Sequence, residues 1–593
     1  MTDDAPLDCP HGERCGGCAF LGVPYAAQLE RKQAFVKIGL AGYPELSALR
    51  VASVAGALPT RAYRARAKLV FGQDGSLGLY ERDSHRVVDI PECRVLAPAL
   101  ARVAAATRSV LSNTPVVLDG LDLRLVDDGV LVTFIAPRGT PLPGLKLLAS
   151  ALGEACREVR SVAASFREAG AATVLGTGHV LLSGPEVAAH HLQPSGPYHL
   201  AAHGAFTQVH LGQANAAHTA IERALSALGA KSVLELYAGS GALSLRLARA
   251  GLSMTAVEAF APALEHAQRA ASEQQLKLST VCGPAERVLR ELRGREAEFD
   301  ALIVNPPRRG LSLEVRLSAA ALAPREILYM SCDPATLARD LGHFHTLGYA
   351  ADELWPFDMI PHSAAVESLV TLRRTAMPTP FVLRETEQLI AVLKSGYEPV
   401  ARDSSHSSGL LERVRRLPGA SAALPLAGQG LDQDSSGVCL FARSPAALPA
   451  LEQAFYAGSQ SFVALARGVS HKRGRIRRPV REARRVVPAS TRYLREALCS
   501  GHSLLTIWPD RARPLHVRQL LASVGHPLLG DTHFGDAASN TFFEHRHGLD
   551  RSFLHCSSLT LALSTGPLTI EAALPGELSG VLASLAEQPA SLG

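Results

Sequence analysis

The sequence lacks any run of about 18 uninterrupted apolar residues, the length that a membrane-spanning helix needs. It therefore predicts no membrane span. Its first residues, MTDDAPLDCPHGERC, are polar and acidic and contain no apolar core of a secretory signal. We expect a cytosolic protein, in which thiols stay reduced. The ten cysteines are then better interpreted as ligands, nucleophiles or core residues than as disulfides.

A large excess of charge is also absent. The net charge is +5 and 19% of the residues are charged, which permits a nucleic-acid partner without proving one. The one charge run is HKRGRIRRPVREARR, residues 471–485. It predicts either contacts with RNA phosphates or a solvated loop. No internal repeat or long low-complexity tract is visible, and the length suggests roughly three to five domains.

From about residue 203 the sequence alternates between strand and helix patterns. The segments KSVLELY, SMTAVEA, FDALIVN and EILYMS indicate buried strands, and ALSLRLARA indicates a helix. That alternation predicts a doubly wound α/β sheet. The segment RRTAMPTP, 373–380, indicates a linker before a second unit. The predicted boundaries are 1–95, 96–202, 203–375 and 381–593.

A glycine-containing turn follows the first of these strands. Gly239 and Gly241 lie between strand and helix, where glycine lets the backbone approach a ligand. Glu258 ends the next strand, where an acid can bind ribose hydroxyls. Ser244 replaces the third glycine of the dinucleotide fingerprint, which favours S-adenosylmethionine over NAD. An ordinary tight turn is the alternative.

A single thiol, Cys332, stands at the end of the strand EILYMS. Ligands of open α/β sheets bind beyond the carboxyl ends of the strands, and Asn305 in VNPPRRG lies at another such end. Glu367 interrupts an apolar segment further on. A thiolate nucleophile and a carboxylate base make one coherent chemistry. The alternative is a small core residue, the assignment expected for Cys156, Cys282, Cys439, Cys499 and Cys556.

Three cysteines cluster near the N-terminus and a fourth follows at a distance: Cys9, Cys15, Cys18 and Cys93. A zinc site usually shows two closely spaced pairs, whereas this spacing favours a [4Fe-4S] cluster. Zinc and no metal remain as alternatives.

The motifs SCDPATLARD, VNPPRRG, FDMIPHSAAVE and AFTQVH, together with the N-terminal cysteines, resemble the S-adenosylmethionine-dependent RNA uracil-5-methyltransferases. The resemblance covers about residues 9–373 and points to the 23S rRNA branch, with tRNA as the alternative substrate. It implies a Rossmann-like methyltransferase domain, preceded by an iron–sulfur and β-rich RNA-binding region that carries the [4Fe-4S] cluster.

The same resemblance implies roles for individual residues. Cys332 attacks C6 of a flipped uracil, and Glu367 removes the C5 proton after methylation. Four residues match positions that contact S-adenosylmethionine: Gln208, Tyr237, Glu258 and Asn305. Two departures are mild, because His210 and Asp333 replace frequent asparagines without removing a group that the chemistry needs.

Residues 381–593 resemble a second family, the RluA-type pseudouridine synthases, whose domain has an α+β fold. The matching segments are FVLRETEQLIAVLKSGYEPV, GLDQDSSGVCLFARSPAAL and RPLHVRQLLASVGHPLLGDTHFG. The resemblance implies Asp432 as catalytic aspartate with Arg518 as its partner, and Tyr493 packing on the base. Gly430 and Gln429 depart from the family's arginine and common histidine, and RPLHVR has lost the family's Thr-His-Gln.

We therefore expect a bifunctional RNA-modifying enzyme that makes 5-methyluridine and pseudouridine and acts as a monomer. One alternative is a methyltransferase whose C-terminal domain is inactive and only binds RNA. Another is a metal-binding thiol enzyme that acts on a small molecule, which failure to retain RNA at low salt would favour.

Overall fold

The computed structural model describes residues 6–82, 84–168, 175–176, 178–402, 409–426, 428–482, 485–510 and 513–586. Within these ranges no helix combines the length and the apolar character that crossing a membrane requires.

The N-terminal part contains a seven-stranded sheet in the order β4-β3-β2-β5-β6-β7-β8. The elements are α1 Tyr25–Leu40, a short 3-10 helix Pro44–Leu46, β1 Arg50–Val51, β2 Arg66–Phe71, β3 Leu77–Tyr80, β4 Val87–Asp89, α2 Pro98–Leu111, β5 Gly120–Val126, β6 Gly129–Pro137, α3 Leu142–Ala155, β7 Val159–Arg167 and β8 Val180–Ser183. β2 pairs antiparallel with β5, so the predicted boundary at 95/96 divides one sheet. The structure differs there because alternate apolar residues of both strands fill one core.

The next part contains an eight-stranded sheet in the order β1-β16-β17-β15-β14-β11-β12-β13, and a two-stranded ribbon of β9 and β10. The elements are β9 Val187–His191, β10 Tyr198–Ala202, α4 Leu211–Leu228, β11 Ser232–Leu236, α5 Ala242–Arg249, β12 Ser253–Glu258, α6 Ala261–Glu273, β13 Leu278–Cys282, α7 Ala285–Gly294, β14 Ala301–Val304, α8 Leu313–Ala321, β15 Glu326–Ser331, α9 Pro334–Thr346, β16 Tyr349–Phe357 and β17 Glu367–Arg374. The expected doubly wound sheet is present, and β17 enters it antiparallel to β15.

The order of this sheet reverses between β11 and β14, which are parallel neighbours that lead to opposite edges. Such a reversal opens a crevice beyond the carboxyl ends of the strands. The strands are continuous apolar runs, because helices cover the sheet and its side chains fill two large cores.

The C-terminal part contains a ten-stranded sheet whose main path is β18-β19-β21-β26-β22-β25-β24-β23, with β20 beside β21 and β27 beside β26. The elements are β18 Val382–Glu385, β19 Leu389–Lys394, α10 Leu410–Val414, β20 Leu424–Pro425, β21 Ser436–Ala442, α11 Leu448–Ala457, β22 Ser459–Ala466, β23 Arg473–Glu482, β24 Arg485–Cys499, β25 His502–Pro509, α12 Pro514–Ser523, α13 Ala537–His547, β26 Leu554–Leu563, β27 Gly566–Glu571 and α14 Gly576–Ala586. Its strands are mostly antiparallel, and one apolar cluster forms its main core.

Candidate functional site

A thiol and a carboxyl group meet at one edge of the eight-stranded sheet. Cys332 follows β15 directly, and Glu367 is the first residue of β17. The two strands are antiparallel, and Ser331 pairs with Ser368. Continuing that register places Cys332 opposite Glu367. The apolar strands therefore present a nucleophile and a base to the same space.

Burial raises the pKa of Glu367 to about 7, and the guanidinium of Arg308 opposes that rise. Burial also raises the pKa of the Cys332 thiol, and the charge of Glu367 adds to the effect. Arg308 acts in the opposite direction on the thiol, through its charge and a hydrogen bond. Arg308 therefore favours the thiolate and carboxylate forms that a nucleophile and a base need. The motif VNPPRRG contained this residue, but the sequence reasoning gave it no role.

Four of the six predicted cofactor residues line one pocket at the same edge of the sheet: Gln208, Tyr237, Gly239 and Asn305. Tyr237 has a φ of 62°, which is costly for a residue with a side chain. This backbone strain lies in the turn between β11 and α5, where a ligand would contact the chain.

The other two predicted cofactor residues support the turn. Gly241 precedes α5 with a φ of 72°, and a Cβ there would lie 2.8 Å from that of Ala267. The Glu258 carboxylate accepts a hydrogen bond from the Gly239 N–H at 3.1 Å and others from Ala259 and Phe260. Glu258 therefore holds the glycine turn in place.

Two further side chains at this pocket were missed from the sequence. Glu235 of β11 is buried, burial raises its pKa to about 7, and it accepts a hydrogen bond from Ser244. Ser244, which stands where the dinucleotide fingerprint has its third glycine, therefore binds the buried carboxylate of Glu235. His218 also lines the pocket, and burial lowers its pKa to about 4, so its imidazole is neutral. The charged residue inside VLELY was the available signal for Glu235.

Residues 198–375 match the family model described as tRNA (Uracil-5-)-methyltransferase. An uncharacterized RNA methyltransferase of Gloeobacter violaceus is 29% identical over 391 residues, which cover 62% of this chain and 82% of that protein. One of Caldanaerobacter subterraneus is 27% identical over 385 residues, covering 62% of this chain and 84% of its own.

Over residues 198–375 the chain is therefore similar to the RNA uracil-5-methyltransferases. Among solved structures, the tRNA (uracil-54, C5)-methyltransferase of Pyrococcus abyssi in complex with S-adenosyl-L-homocysteine is 23% identical, covers 60% of this chain and 84% of that one, and has a TM-score of 0.49. Human RNA pseudouridylate synthase domain containing 1 is 20% identical, covers 36% of this chain and 96% of that one, and has a TM-score of 0.28.

The two mild departures from the uracil-5-methyltransferase motifs both cap helices. The imidazole of His210 accepts a hydrogen bond from the Gln213 N–H at the start of α4. The Asp333 carboxylate accepts one from the Thr336 N–H at 2.9 Å, at the start of α9. Both side chains satisfy N–H groups that a helix terminus leaves without partners, and Asp333 thereby fixes the chain directly after the thiol.

The four N-terminal cysteines, Cys9, Cys15, Cys18 and Cys93, line one small and mainly apolar cavity. Burial, together with the charges of the other three cysteines, raises the pKa of the Cys18 thiol to about 12. Four mutually close thiols are a donor set that suits an iron–sulfur cluster. In the ranges that the structure describes, no group of three or more His, Cys, Asp or Glu residues has the arrangement of a metal-ion site.

The expectation that the other five cysteines are core residues is wrong for one of them. Cys282, at the end of β13, is exposed. The edge position of β13 in its sheet explains the exposure. Cys156, Cys439 and Cys556 are buried, and Cys499 is partly buried.

In the C-terminal part, Asp432 and Arg518 are brought together as predicted. A guanidinium N–H of Arg518 donates to the Asp432 carboxylate at 2.6 Å. Arg518 also donates to Asp531 at 2.7 and 2.8 Å and to Asp434 at 3.3 Å. Burial opposes the charge of Arg518, but these carboxylates hold its pKa above the ordinary value. The Asp432 side chain remains 29% exposed and can meet a substrate.

The two departures beside Asp432 have structural explanations. Gln429 is buried and uses both ends of its amide, donating to the Val438 carbonyl at 2.6 Å and accepting from the Leu440 N–H at 2.9 Å. Gly430 has a φ of 54°, in the left-handed region. The Arg513 side chain lies over it, 3.0 Å from the place of a Cβ.

Most of the charge run at 471–485 forms β23, one strand of a long β-hairpin with β24, so the alternative of a solvated loop is wrong. Ile476 and Val480 point into the core, while Arg473 and Arg477 are exposed. This period of two explains how one strand carries arginines and an apolar face. Tyr493 lies on β24 against Gly474 of β23. Residues 483–484 of the run lie outside the described residues.

Proposed function

We propose that residues 203–375 catalyse S-adenosylmethionine-dependent methylation of uracil C5 in RNA. The observation that carries the proposal is the apposition of Cys332 and Glu367 beside the pocket that contains Gln208 and Asn305. The family match over residues 198–375 supports the same reaction.

The mechanism assigns one task to each polar side chain. Arg308 favours the Cys332 thiolate, which adds to C6 of the uracil and leaves C5 as a carbon nucleophile. S-adenosylmethionine supplies an electrophilic methyl group, which C5 takes. Glu367 then accepts the C5 proton as a general base. The bond between sulfur and C6 breaks, and the double bond of the ring is restored.

The residues of the pocket fit S-adenosylmethionine. Gln208, Tyr237 and Asn305 offer polar groups around apolar walls, and the glycine turn lets the backbone approach the ligand. Glu258 fixes the turn through its contact with Gly239.

We propose that Cys9, Cys15, Cys18 and Cys93 hold a [4Fe-4S] cluster with a structural or RNA-contacting task. Support comes from the four thiols that share one cavity. The test is iron and acid-labile sulfide analysis of protein purified without oxygen. About four of each per chain is expected, and a marked loss in Cys93→Ser, whereas zinc alone would contradict the cluster.

We propose that the substrate of the methyltransferase is RNA. The expected substrate is 23S rRNA, and tRNA is the alternative. The RNA methyltransferases of two bacteria cover 62% of this chain, which supports an RNA substrate of either kind. The target uridine has to leave the base stack, because Cys332 reaches C6 only from above the ring. A monomeric, cytoplasmic enzyme remains our prediction.

We propose a second activity for residues 381–593, the isomerisation of uridine to pseudouridine. Asp432, partly exposed and held by Arg518 at 2.6 Å, supports it, because a positioned carboxylate is the group that acts on the glycosidic bond in the resembling family. The alternative, an inactive domain that only binds RNA, is favoured by the glycine at position 430.

The deciding experiment is tritium release from RNA labelled at uracil C5, with and without S-adenosylmethionine. Methylation and pseudouridine formation both expel that hydrogen, but only methylation needs the cofactor. Two active domains predict release in both conditions. Cys332→Ala then removes the cofactor-dependent part, and Asp432→Ala removes the rest. Release only with the cofactor would favour the inactive domain, and no release at all would contradict both activities.

A further inference from the structure

The two catalytic parts of the chain meet at a buried junction of charged side chains. Arg316 of α8 is fully buried and donates to Asp340 of α9 at 3.0 Å and to Asp550 of the C-terminal part at 2.6 Å. Arg339 of α9 contacts the same two carboxylates, at 2.8 Å and 3.5 Å. Without Asp550, two buried guanidinium groups would face one carboxylate, which is a costly arrangement in a dry interior.

On one side, the junction holds the backbone around the thiol. Arg339 donates to the carbonyl groups of Arg309 and Leu311, and Asp340 accepts from the Leu311 N–H at 2.7 Å. These residues belong to the segment that carries Arg308, and α9 begins two residues after Cys332. A change in the charges of the junction therefore reaches both groups that face Glu367.

On the other side, the same junction holds the segment around Asp432. The ring of Tyr397 lies 4.4 Å from the guanidinium of Arg316, and its hydroxyl donates to Asp550. The Tyr397 N–H donates to the carbonyl of Gln433 at 2.9 Å, next to Asp432. Arg551 donates to the carbonyl of Asp434 at 2.8 Å. One cluster of contacts thus reaches both proposed catalytic segments.

We propose that Asp550, which belongs to the C-terminal part, is a positioning residue for methyl transfer. This inference rests on the proposed function of residues 203–375. Asp550 acts through Arg316 and Arg339, which place the Arg308 segment and the start of α9 relative to Glu367. The C-terminal part is then a structural component of the methyltransferase site as well as a domain of its own.

The test is Asp550→Asn in the full chain. Asparagine keeps the size and one acceptor oxygen but removes the charge and replaces the other acceptor with an N–H donor. We expect kcat for RNA methylation to fall about tenfold or more, since small misplacements of reacting groups have effects of that size. KM for S-adenosylmethionine should change much less than kcat, because Gln208 and Tyr237 line the cofactor pocket from other segments and only Asn305 lies near Arg308.

The matched control is Glu398→Gln, which removes an equally buried carboxylate that Arg413 contacts at 2.6 Å within the C-terminal part. Tyr397→Phe serves as the second variant if Asp550→Asn does not fold, because it removes only the hydroxyl that contacts Asp550. The proposal is overturned if the folded variant has the same kcat as Glu398→Gln.

A readout without RNA separates this inference from the proposed function. The rate at which a neutral alkylating reagent modifies Cys332 is followed by peptide mass spectrometry, with exposed Cys282 as internal reference. We expect Asp550→Asn to change the rate at Cys332 and not at Cys282. Equal rates at Cys332 in the variant and in Glu398→Gln would overturn the proposal. Absence of methylation by the unmodified chain would instead contradict the proposed function.

Discussion

At the scale of single residues, Glu367, the proposed general base, lies in an environment that is unfavourable for its charge. Burial raises its pKa from the ordinary value of 4.5 to about 7. Below pH 4.5 the group is protonated in both the folded and the unfolded chain, so its burial has no charge penalty. Above pH 7 it is ionised in both, and the penalty is complete. Stability is therefore lost as the pH rises between these values.

Glu367→Gln should remove this pH-dependent loss. A shift of this size corresponds to about 3 kcal/mol, so the stability of the variant relative to the unmodified chain should rise by up to that amount between pH 5 and pH 8. The measurement is the denaturation midpoint at both pH values. Glu314→Gln, at an exposed position of α8, is the control. A difference that does not change with pH would contradict the raised pKa.

Gly430 is a second residue whose environment makes a prediction. A side chain at a φ of 54° is strained by about 1–2 kcal/mol, and here it would also meet Arg513. We therefore expect Gly430→Arg to destabilise the C-terminal part and not to raise pseudouridine formation, although it restores the arginine of the resembling family.

Two further variants separate the strain from the overlap of side chains. Gly430→Ala has the same backbone strain but little bulk, and Gly430→Arg combined with Arg513→Ala removes the neighbouring side chain. The measurements are the denaturation midpoint and the pseudouridine yield. A higher pseudouridine yield in Gly430→Arg alone would contradict this expectation. It would show that an arginine fits at position 430 and improves catalysis at Asp432.

At the scale of elements, the hairpin of β23 and β24 carries the charge run for which the sequence predicts contacts with RNA phosphates. Arg473 and Arg477 are exposed on the same strand, while Ile476 between them is buried. If both arginines contact phosphates, Arg473→Gln with Arg477→Gln should lower the slope of log Kd against log salt by about 1.4 for a single strand and about 1.8 for a duplex.

The control removes the same charge from another surface. Arg269 and Arg287 are exposed arginines on α6 and α7, each paired with a glutamate one turn away. The double glutamine variant of these two should leave the slope unchanged. Equal slopes for both double variants would mean that the hairpin makes no specific contribution to RNA binding.

The sequence predicted a strand or turn correctly where the residues of that one segment form a recognisable pattern. The apolar runs that end at Asn305 and Cys332 gave both strand ends, because buried parallel strands have continuous apolar sequences. The division at residue 95 differs from the structure because the pairing of β2 with β5 joins segments about fifty residues apart. The influence of Arg308 on the pKa values of Cys332 and Glu367 was not predictable. It depends on the pairing of β15 with β17, which lie apart in the sequence.

At the scale of the whole molecule, the junction joins two parts that the sequence shows only as a fusion. No motif indicated Asp550, because its partners Arg316 and Arg339 lie more than two hundred residues earlier in the chain. The fusion alone suggests that tethering raises the local concentration of the second site. The buried charges of the junction hold the two parts together, which implies that the two proposed sites have a fixed relative placement.

A fixed placement predicts that one encounter can modify one RNA molecule at both sites, and that the two marks lie close together in that RNA. The test compares the unmodified chain with an equimolar mixture of Cys332→Ala and Asp432→Ala, with RNA in excess. The mixture contains both activities but never in one molecule.

The quantity to measure is the fraction of RNA molecules that carry both marks during the first few per cent of turnover. For the mixture it should equal the product of the two single fractions, because each mark requires a separate encounter. For the unmodified chain it should exceed that product, since the second uridine is held near its site when the first reacts. Equal values, or marks at distant places in the RNA, would mean that the two domains act independently despite the junction that Asp550 forms.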